Sequence, residues 1–96
     1  MTEQPEPIKL LLIEDNEYDA KIVADLVTGM KDTAFFLRTA DTLEKACAAD
    51  AAESADVVLL DLNLPDSFGP DTLVKSKALF HDRPIIVMTG FYEEHL

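Results

Sequence analysis

Three short, nearly continuous runs of apolar residues constrain the fold of this chain more than any other feature of its sequence. They lie at residues 8–13, 57–60 and 85–88, and each is too short for a globular helix. Such runs are typical of strands that are buried on both faces of a parallel sheet. A fourth run, residues 35–40, is interrupted by Arg38 and predicts a less buried strand.

Between these strands the apolar residues recur with the period of a helix. The first helical pattern consists of Ile22, Val23, Leu26, Val27 and Met30, with Asn16 as a plausible cap and Gly29 near the end. Asp41 and Glu44 resemble a capping box for a second helix over residues 42–53, with Leu43, Ala46 and Cys47 facing inward. A turn-rich stretch, residues 63–69, precedes a third helix from Pro70 to about Phe80. The predicted order is βαβαβαβ, an α/β fold with helices on both faces of a parallel sheet.

Composition narrows the class of protein. The 96 residues carry a net charge of −11 and are 48% apolar, which predicts one acidic globular domain over residues 8–96 after a short disordered lead-in, residues 1–7. The acidity argues against nucleic-acid and anionic-membrane partners, and no apolar run could span a bilayer. Cys47 has no second cysteine to pair with, and with only His81 and His95 it cannot form a zinc site. We therefore expect a cytoplasmic protein.

Polar residues follow each fully apolar run. Glu14 and Asp15 come after the first, Asp61 after the second and Thr89 after the third. The carboxyl ends of parallel strands form the cleft of such a sheet, so these side chains should converge. Clustered carboxylates repel one another unless a cation joins them, and Mg²⁺ suits a few oxygen ligands. Glu14 and Asp15 could instead cap the following helix, but Asp61 precedes no helix and favours the metal site.

Three sequence motifs resemble the receiver domain of two-component response regulators. They are LLLIEDN ending near Asp15, VVLLDLNLPDSFG around Asp61 and IIVMTG around Thr89, at the first, third and fourth predicted strands. The resemblance covers residues 8–90 and implies a flavodoxin-like, doubly wound sheet with strand order 2-1-3-4. Relative to the family, the last strand and last two helices of the domain are missing from these 96 residues.

The resemblance also implies roles for individual residues. Asp61 would accept a phosphoryl group from the phosphohistidine of a histidine kinase or a histidine phosphotransfer protein. Glu14, Asp15, Asp61 and the backbone carbonyl of Asn63 would hold Mg²⁺, and Thr89 would be the switch hydroxyl that bonds the phosphoryl group. Any catalysis would be limited to the domain's own phosphorylation and dephosphorylation.

The sequence departs from the family in one functional position. The family has a lysine after a fifth strand, whereas the lysines after Asp61 here are Lys75 and Lys77, in the predicted third helix. A pseudo-receiver that works through protein contacts without phosphorylation is therefore an alternative function. A phosphohydrolase with an aspartyl nucleophile is disfavoured, because Asn63 stands where that class has a second acid.

The strand at residues 85–88 is expected to form an open edge of the sheet. An apolar edge strand invites pairing with another chain, so we expect a homodimer or a segment-exchanged oligomer through this edge. Light scattering or sedimentation would measure the mass in solution, and a single-chain mass would contradict the expectation.

Overall fold

The computed structural model describes residues 6–88. The elements in chain order are β1 (Ile8–Ile13), α1 (Glu17–Thr28), β2 (Phe35–Ala40), α2 (Leu43–Ala52), β3 (Val57–Asp61), β4 (Asn63–Leu64), β5 (Ser67–Phe68), α3 (Pro70–Leu79) and β6 (Ile85–Met88). Residues 1–5 of the predicted lead-in lie outside the described residues, so its disorder stays a prediction. In the described part of the chain, no helix is long and apolar enough to cross a membrane.

The four long strands form one parallel sheet in the order β2-β1-β3-β6. Counting only these strands, the order is 2-1-3-4, so the predicted flavodoxin-like α/β fold is confirmed. β1 lies in the middle, with Leu12 paired to Thr39 on one side and to Leu59 on the other. The predicted turn-rich stretch contains a small antiparallel hairpin, β4-β5, that the sequence patterns did not predict.

The main core lies between the sheet and helices α2 and α3. Alternate strand residues point to this face, and they pack with residues of α2 and with the residue that ends α3. The buried residues of this core are Leu11, Ile13, Ala40, Leu43, Ala46, Ala55, Val58, Leu60, Leu64 and Phe80. Helix α1 packs on the other face, where Val23 is its buried residue.

β6 is less buried than its apolar sequence predicts. Ile85 packs against the main core, but the next residue points to the opposite face, and Ile86 is 53% exposed. No helix among residues 6–88 covers that face of β6, since α1 packs over β2. The apolar run taken alone indicates a strand buried on both faces, which is wrong for β6, whereas its predicted position at an edge of the sheet agrees with the strand order of the described residues. The expected association through this edge stays a prediction.

Arg38 has a structural function that explains a charged residue within β2. Its guanidinium donates hydrogen bonds to the backbone carbonyls of Ala49 (2.8 Å) and Glu53 (2.5 Å), at the end of α2. The Ala49 carbonyl also accepts the Glu53 backbone N–H at 3.1 Å, and a cation is favourable at this end of the helix dipole. Arg38 therefore fastens α2 to the edge strand of the sheet.

Two details predicted for α2 are wrong. The cap is Thr42, whose hydroxyl accepts a hydrogen bond from the Lys45 backbone N–H at 3.0 Å, whereas the carboxylate of Asp41 pairs with the Lys45 ammonium at 3.2 Å. Cys47 is exposed, not part of the core. Leu43 and Ala46 already turn the helix toward the sheet, and the residue after Ala46 is rotated by about 100° away from it.

Candidate functional site

Three carboxylates meet at the carboxyl edge of the sheet. Glu14 and Asp15 follow β1, and Asp61 is the last residue of the neighbouring strand β3. Oxygen atoms of the three side chains lie within 4.8 Å of one another. Glu14 and Asp61 are buried, with 6% and 7% of their surface exposed, whereas Asp15 is exposed. The parallel pairing of β1 with β3 is what brings these residues together across 46 positions of sequence (61 − 15).

The pKa of Glu14 is raised from 4.5 to about 7. Burial of the carboxyl group is the largest cause, and a hydrogen bond and charge repulsion from Asp61 act in the same direction. The backbone N–H of Asn16, which donates to Glu14 Oε2 at 3.2 Å, opposes the shift. Near neutral pH, Glu14 therefore holds a proton in a substantial fraction of the molecules.

This donor set fits a hard divalent cation. The ligand atoms are carboxylate oxygens from two buried acids and one exposed acid, and the ion pairs formed among residues 6–88 include none to these three acids. Mg²⁺ prefers oxygen ligands and keeps several waters, which the exposed side of Asp15 can accommodate. Capping of α1 does not explain these acids, because the Asn16 side chain is the cap and accepts from Asp19 N–H at 3.0 Å.

The β4-β5 hairpin packs directly beside Asp61. The backbone N–H of Asn63 donates to Asp61 Oδ1 at 3.2 Å, so Asn63 lies against the buried carboxylate. The Asn63 side chain accepts from the Gly69 N–H at 3.3 Å. Gly69 has φ +66° and ψ −149°, a conformation that side chains with a Cβ rarely adopt, and it leads directly into α3 at Pro70. The hairpin is thus closed on itself next to the site.

Two further residues fasten this hairpin, and the sequence analysis missed both. The buried Thr72 hydroxyl donates to the Leu62 carbonyl at 2.7 Å and is 2.8 Å from the Ser67 hydroxyl. The Asp66 carboxylate accepts hydrogen bonds from the backbone N–H groups of Leu43 (3.0 Å) and Glu44 (3.1 Å), at the start of α2. Although desolvation opposes it, these backbone hydrogen bonds lower the pKa of Asp66. The hairpin is therefore joined to both α2 and α3.

Not every remaining residue of the predicted site lies within residues 6–88. Thr89, predicted as the switch hydroxyl, lies outside the described residues. Within residues 6–88, the ammonium of Lys75 pairs with Asp71 at 3.2 Å on the surface of α3 and does not join the carboxylates. Lys77 lies in the last turn of the same helix.

In open parallel α/β sheets, ligands bind at the carboxyl ends of the strands, which is where this chain places the buried Asp61 and its neighbouring acids. Comparison with known families is more specific, because residues 10–96 match the family model described as "Response regulator receiver domain". The chain belongs to the response regulator receiver domain family, as the sequence resemblance predicted.

Individual relatives agree with this family. The chain is 31% identical over 86 residues to the cell cycle transcriptional regulator CtrA of Caulobacter vibrioides, covering 90% of this chain and 36% of that protein. The cell cycle response regulator CtrA of Brucella abortus is 31% identical over 83 residues, covering 86% of this chain and 34% of that protein. The chain thus spans about a third of the length of the curated relatives that it matches.

Solved structures share the fold. An aspartate-to-alanine mutant of the response regulator MaeR, bound to sulfate, has a TM-score of 0.77 at 23% identity, covering 92% of this chain and 71% of that chain. MaeR bound to beryllium trifluoride has a TM-score of 0.74 at 23% identity, covering 90% and 70%. The phosphorylated cyanobacterial phytochrome response regulator RcpA has a TM-score of 0.71 at 24% identity, covering 94% and 70%.

Proposed function

We propose that this chain is a phosphoacceptor domain of cytoplasmic two-component signalling. Asp61 takes a phosphoryl group from the phosphohistidine of a histidine kinase or a histidine phosphotransfer protein, in a reaction that depends on Mg²⁺. The observation that carries the proposal is the position of Asp61. Its carboxylate ends β3 within 4.8 Å of the carboxylate oxygens of Glu14 and Asp15, in a chain that belongs to the receiver family.

The transfer requires a nucleophile that is held in place. One carboxylate oxygen of Asp61 attacks the phosphorus of the phosphohistidine, the P–N bond breaks, and the imidazole leaves with the bonding electron pair and takes up a proton. The product on this chain is an acyl phosphate. The Asn63 N–H bonded to Asp61 Oδ1 fixes the orientation of the carboxylate, which is the positioning that phosphoryl transfer needs.

The three acids would bind the metal, with the Asn63 backbone carbonyl as a further ligand. When bound, Mg²⁺ supplies the positive charge that offsets repulsion between the acids and the incoming phosphoryl oxygens. Glu14 must lose its proton to serve as a full ligand, so with its raised pKa the metal competes with that proton, and metal binding releases it. Thr89, which follows β6 in the sequence, is proposed to donate its hydroxyl to the phosphoryl group.

Phosphorylation can be tested without knowing the partner kinase. After incubation with Mg²⁺ and a small acyl phosphate such as acetyl phosphate, intact-mass spectrometry is expected to show one added phosphoryl group per chain. When Mg²⁺ is chelated with EDTA before the acyl phosphate is added, no adduct is expected to form, because the acids then repel the incoming phosphoryl group. Asp15→Asn, which removes an exposed ligand and disturbs no buried contact, is expected to raise the Mg²⁺ concentration needed for half-maximal labelling by about tenfold or more.

Two outcomes would contradict the proposal. A folded wild-type protein that forms no adduct would favour the alternative pseudo-receiver, which binds partners without phosphorylation. An adduct whose dependence on Mg²⁺ is unchanged in Asp15→Asn would remove Asp15 from the metal site. Circular dichroism of each sample verifies that the fold is intact.

A further inference from the structure

An apolar groove runs between α2 and α3, away from the acidic site. It has a volume of about 710 Å³, and most of its lining residues are apolar. Its lining residues are Leu43, Glu44, Cys47, Ala48, Ala51, Asp66, Lys75, Ala78 and Leu79. Helix α2 packs on β1 and β2, and α3 reaches the core through Leu73 and Phe80, but the two helices make few contacts with each other, which leaves the groove open.

Cys47 is exposed because it lies on the α2 wall of the groove. Leu43, Cys47 and Ala51 recur at every fourth position and form one stripe of the helix, about 12 Å long at 1.5 Å per residue. On the facing side, Leu79 of α3 is 42% exposed. A stripe of this length equals about two turns of a partner helix. The small side chains of Cys47, Ala48, Ala51 and Ala78 would let a partner backbone approach closely.

Charge is unevenly distributed around the groove. At the hairpin end, Asp66 and Glu44 lie on the lining, and the hydrogen bonds that Asp66 accepts hold its pKa below the usual range against opposing desolvation. The lysine on the rim, Lys75, pairs with Asp71 at 3.2 Å and also acts on the Asp66 carboxylate, whereas Glu44 forms no ion pair within residues 6–88. The whole chain carries a net charge of −11. An approaching cationic group is therefore attracted, first by the whole chain and then by the hairpin end of the groove.

We propose that this groove binds an amphipathic α-helix of another protein, with an apolar face along the groove and Lys or Arg at the end that meets Glu44 and Asp66. A helix fits better than an extended strand, because both walls are helices whose backbone groups are already hydrogen-bonded internally. Recognition must then come from side-chain packing, as in other helix-in-groove complexes. Binding does not require phosphorylation, so the proposal stands or falls separately from the phosphoacceptor function.

The sole cysteine of the chain offers a readout that is confined to the groove. The probe is a synthetic peptide of four helical turns, with leucines along one face and lysines on the other, and its counterpart has glutamates in place of the lysines. Bound peptide covers the Cys47 thiol. The rate of Cys47 alkylation by iodoacetamide is therefore expected to fall as the fraction of occupied protein rises, by about tenfold at saturation. The glutamate peptide is expected to leave the rate unchanged.

Two arginine variants separate groove binding from general electrostatic attraction. Ala48→Arg places a charged side chain in the groove and is expected to weaken peptide binding by about tenfold or more. Ala52→Arg adds the same charge to the same helix at an exposed position outside the lining, and should change the affinity by about twofold at most. Isothermal titration calorimetry with the lysine peptide measures both affinities.

Several results would overturn the proposal. They are lysine-peptide binding that leaves Cys47 alkylation unchanged, equal losses of affinity in the two arginine variants, or equal binding of the glutamate peptide. A dimer by light scattering whose Cys47 is already protected without peptide would also overturn it, since the occupant would then be a second copy of this chain.

Discussion

Asp61→Asn is expected to form no phosphoryl adduct with acetyl phosphate and Mg²⁺. The amide oxygen is a poor nucleophile, and the variant leaves no carboxylate at the end of β3, so labelling should fall by at least about a hundredfold. The substitution keeps the size of the side chain and its carbonyl oxygen, which can still accept the hydrogen bond from the Asn63 N–H. It also removes one of the mutually repelling charges. We therefore expect the variant to unfold at the same temperature as wild type or higher.

Asp56→Asn is the matched control for this experiment. Asp56 lies directly before the opposite end of β3, where its carboxylate accepts the Lys9 N–H at 2.9 Å. Asp56→Asn makes the same change of charge at the end of β3 that is far from the acidic site. Phosphoryl labelling of this variant is expected to match wild type. Full labelling of Asp61→Asn would show that another residue is the acceptor. Proteolysis and fragment masses would then identify that residue.

The sequence predicted the fold well where burial alone decides the structure. The run at residues 8–13 is apolar at nearly every position because β1 lies in the middle of the sheet, with neighbours on both sides. At the edges of the sheet, an apolar sequence is a weaker guide to burial. Residues 85–88 are equally apolar, yet Ile86 is exposed, because burial of an edge strand depends on which helix covers it and not on the strand itself.

The candidate site was predictable where it depends on strand ends. Glu14, Asp15 and Asp61 were singled out because they end parallel strands, and the structure brings them within 4.8 Å. The contacts of Asp66 and Thr72 were not predictable, because each joins elements that local patterns treat as separate. Asp66 reaches across 23 residues to the first turn of α2, and this contact is set by packing of the hairpin and not by any spacing.

Without a divalent cation, the protein is expected to become less stable as the pH rises from about 5 to about 8. In the folded protein the pKa of Glu14 is about 7, against an ordinary value of 4.5 that applies when the chain is unfolded. The folded state therefore binds more protons than the unfolded state within this range, and stability falls as pH rises through the folded pKa. A shift of this size corresponds to a loss of about 3 kcal/mol in the free energy of unfolding.

Two carboxylates with lowered pKa values, Asp50 and Asp66, affect the stability of the protein at acidic pH. Hydrogen bonds from Arg83 are the main cause of the lowered pKa of Asp50. For Asp66, desolvation raises the pKa, but backbone hydrogen bonds lower it by more. Their contribution to stability is lost as the pH falls through their lowered pKa values in the folded protein. We therefore expect maximal stability of the metal-free protein near about pH 5, where these acids are ionised and Glu14 keeps its proton.

Glu14→Gln isolates the contribution of this carboxyl group, because the amide has the same shape and does not titrate. Urea unfolding from pH 5 to 8 is expected to show a slope in wild type and a much smaller one in Glu14→Gln. Saturating Mg²⁺ should stabilise wild type most at high pH, where the metal no longer competes with a proton. An equal slope in both proteins would assign the pH dependence to other groups. A stabilisation by Mg²⁺ that is the same at pH 5 and pH 8 would mean that the cation binds without displacing the proton of Glu14, and that Glu14 is not its ligand.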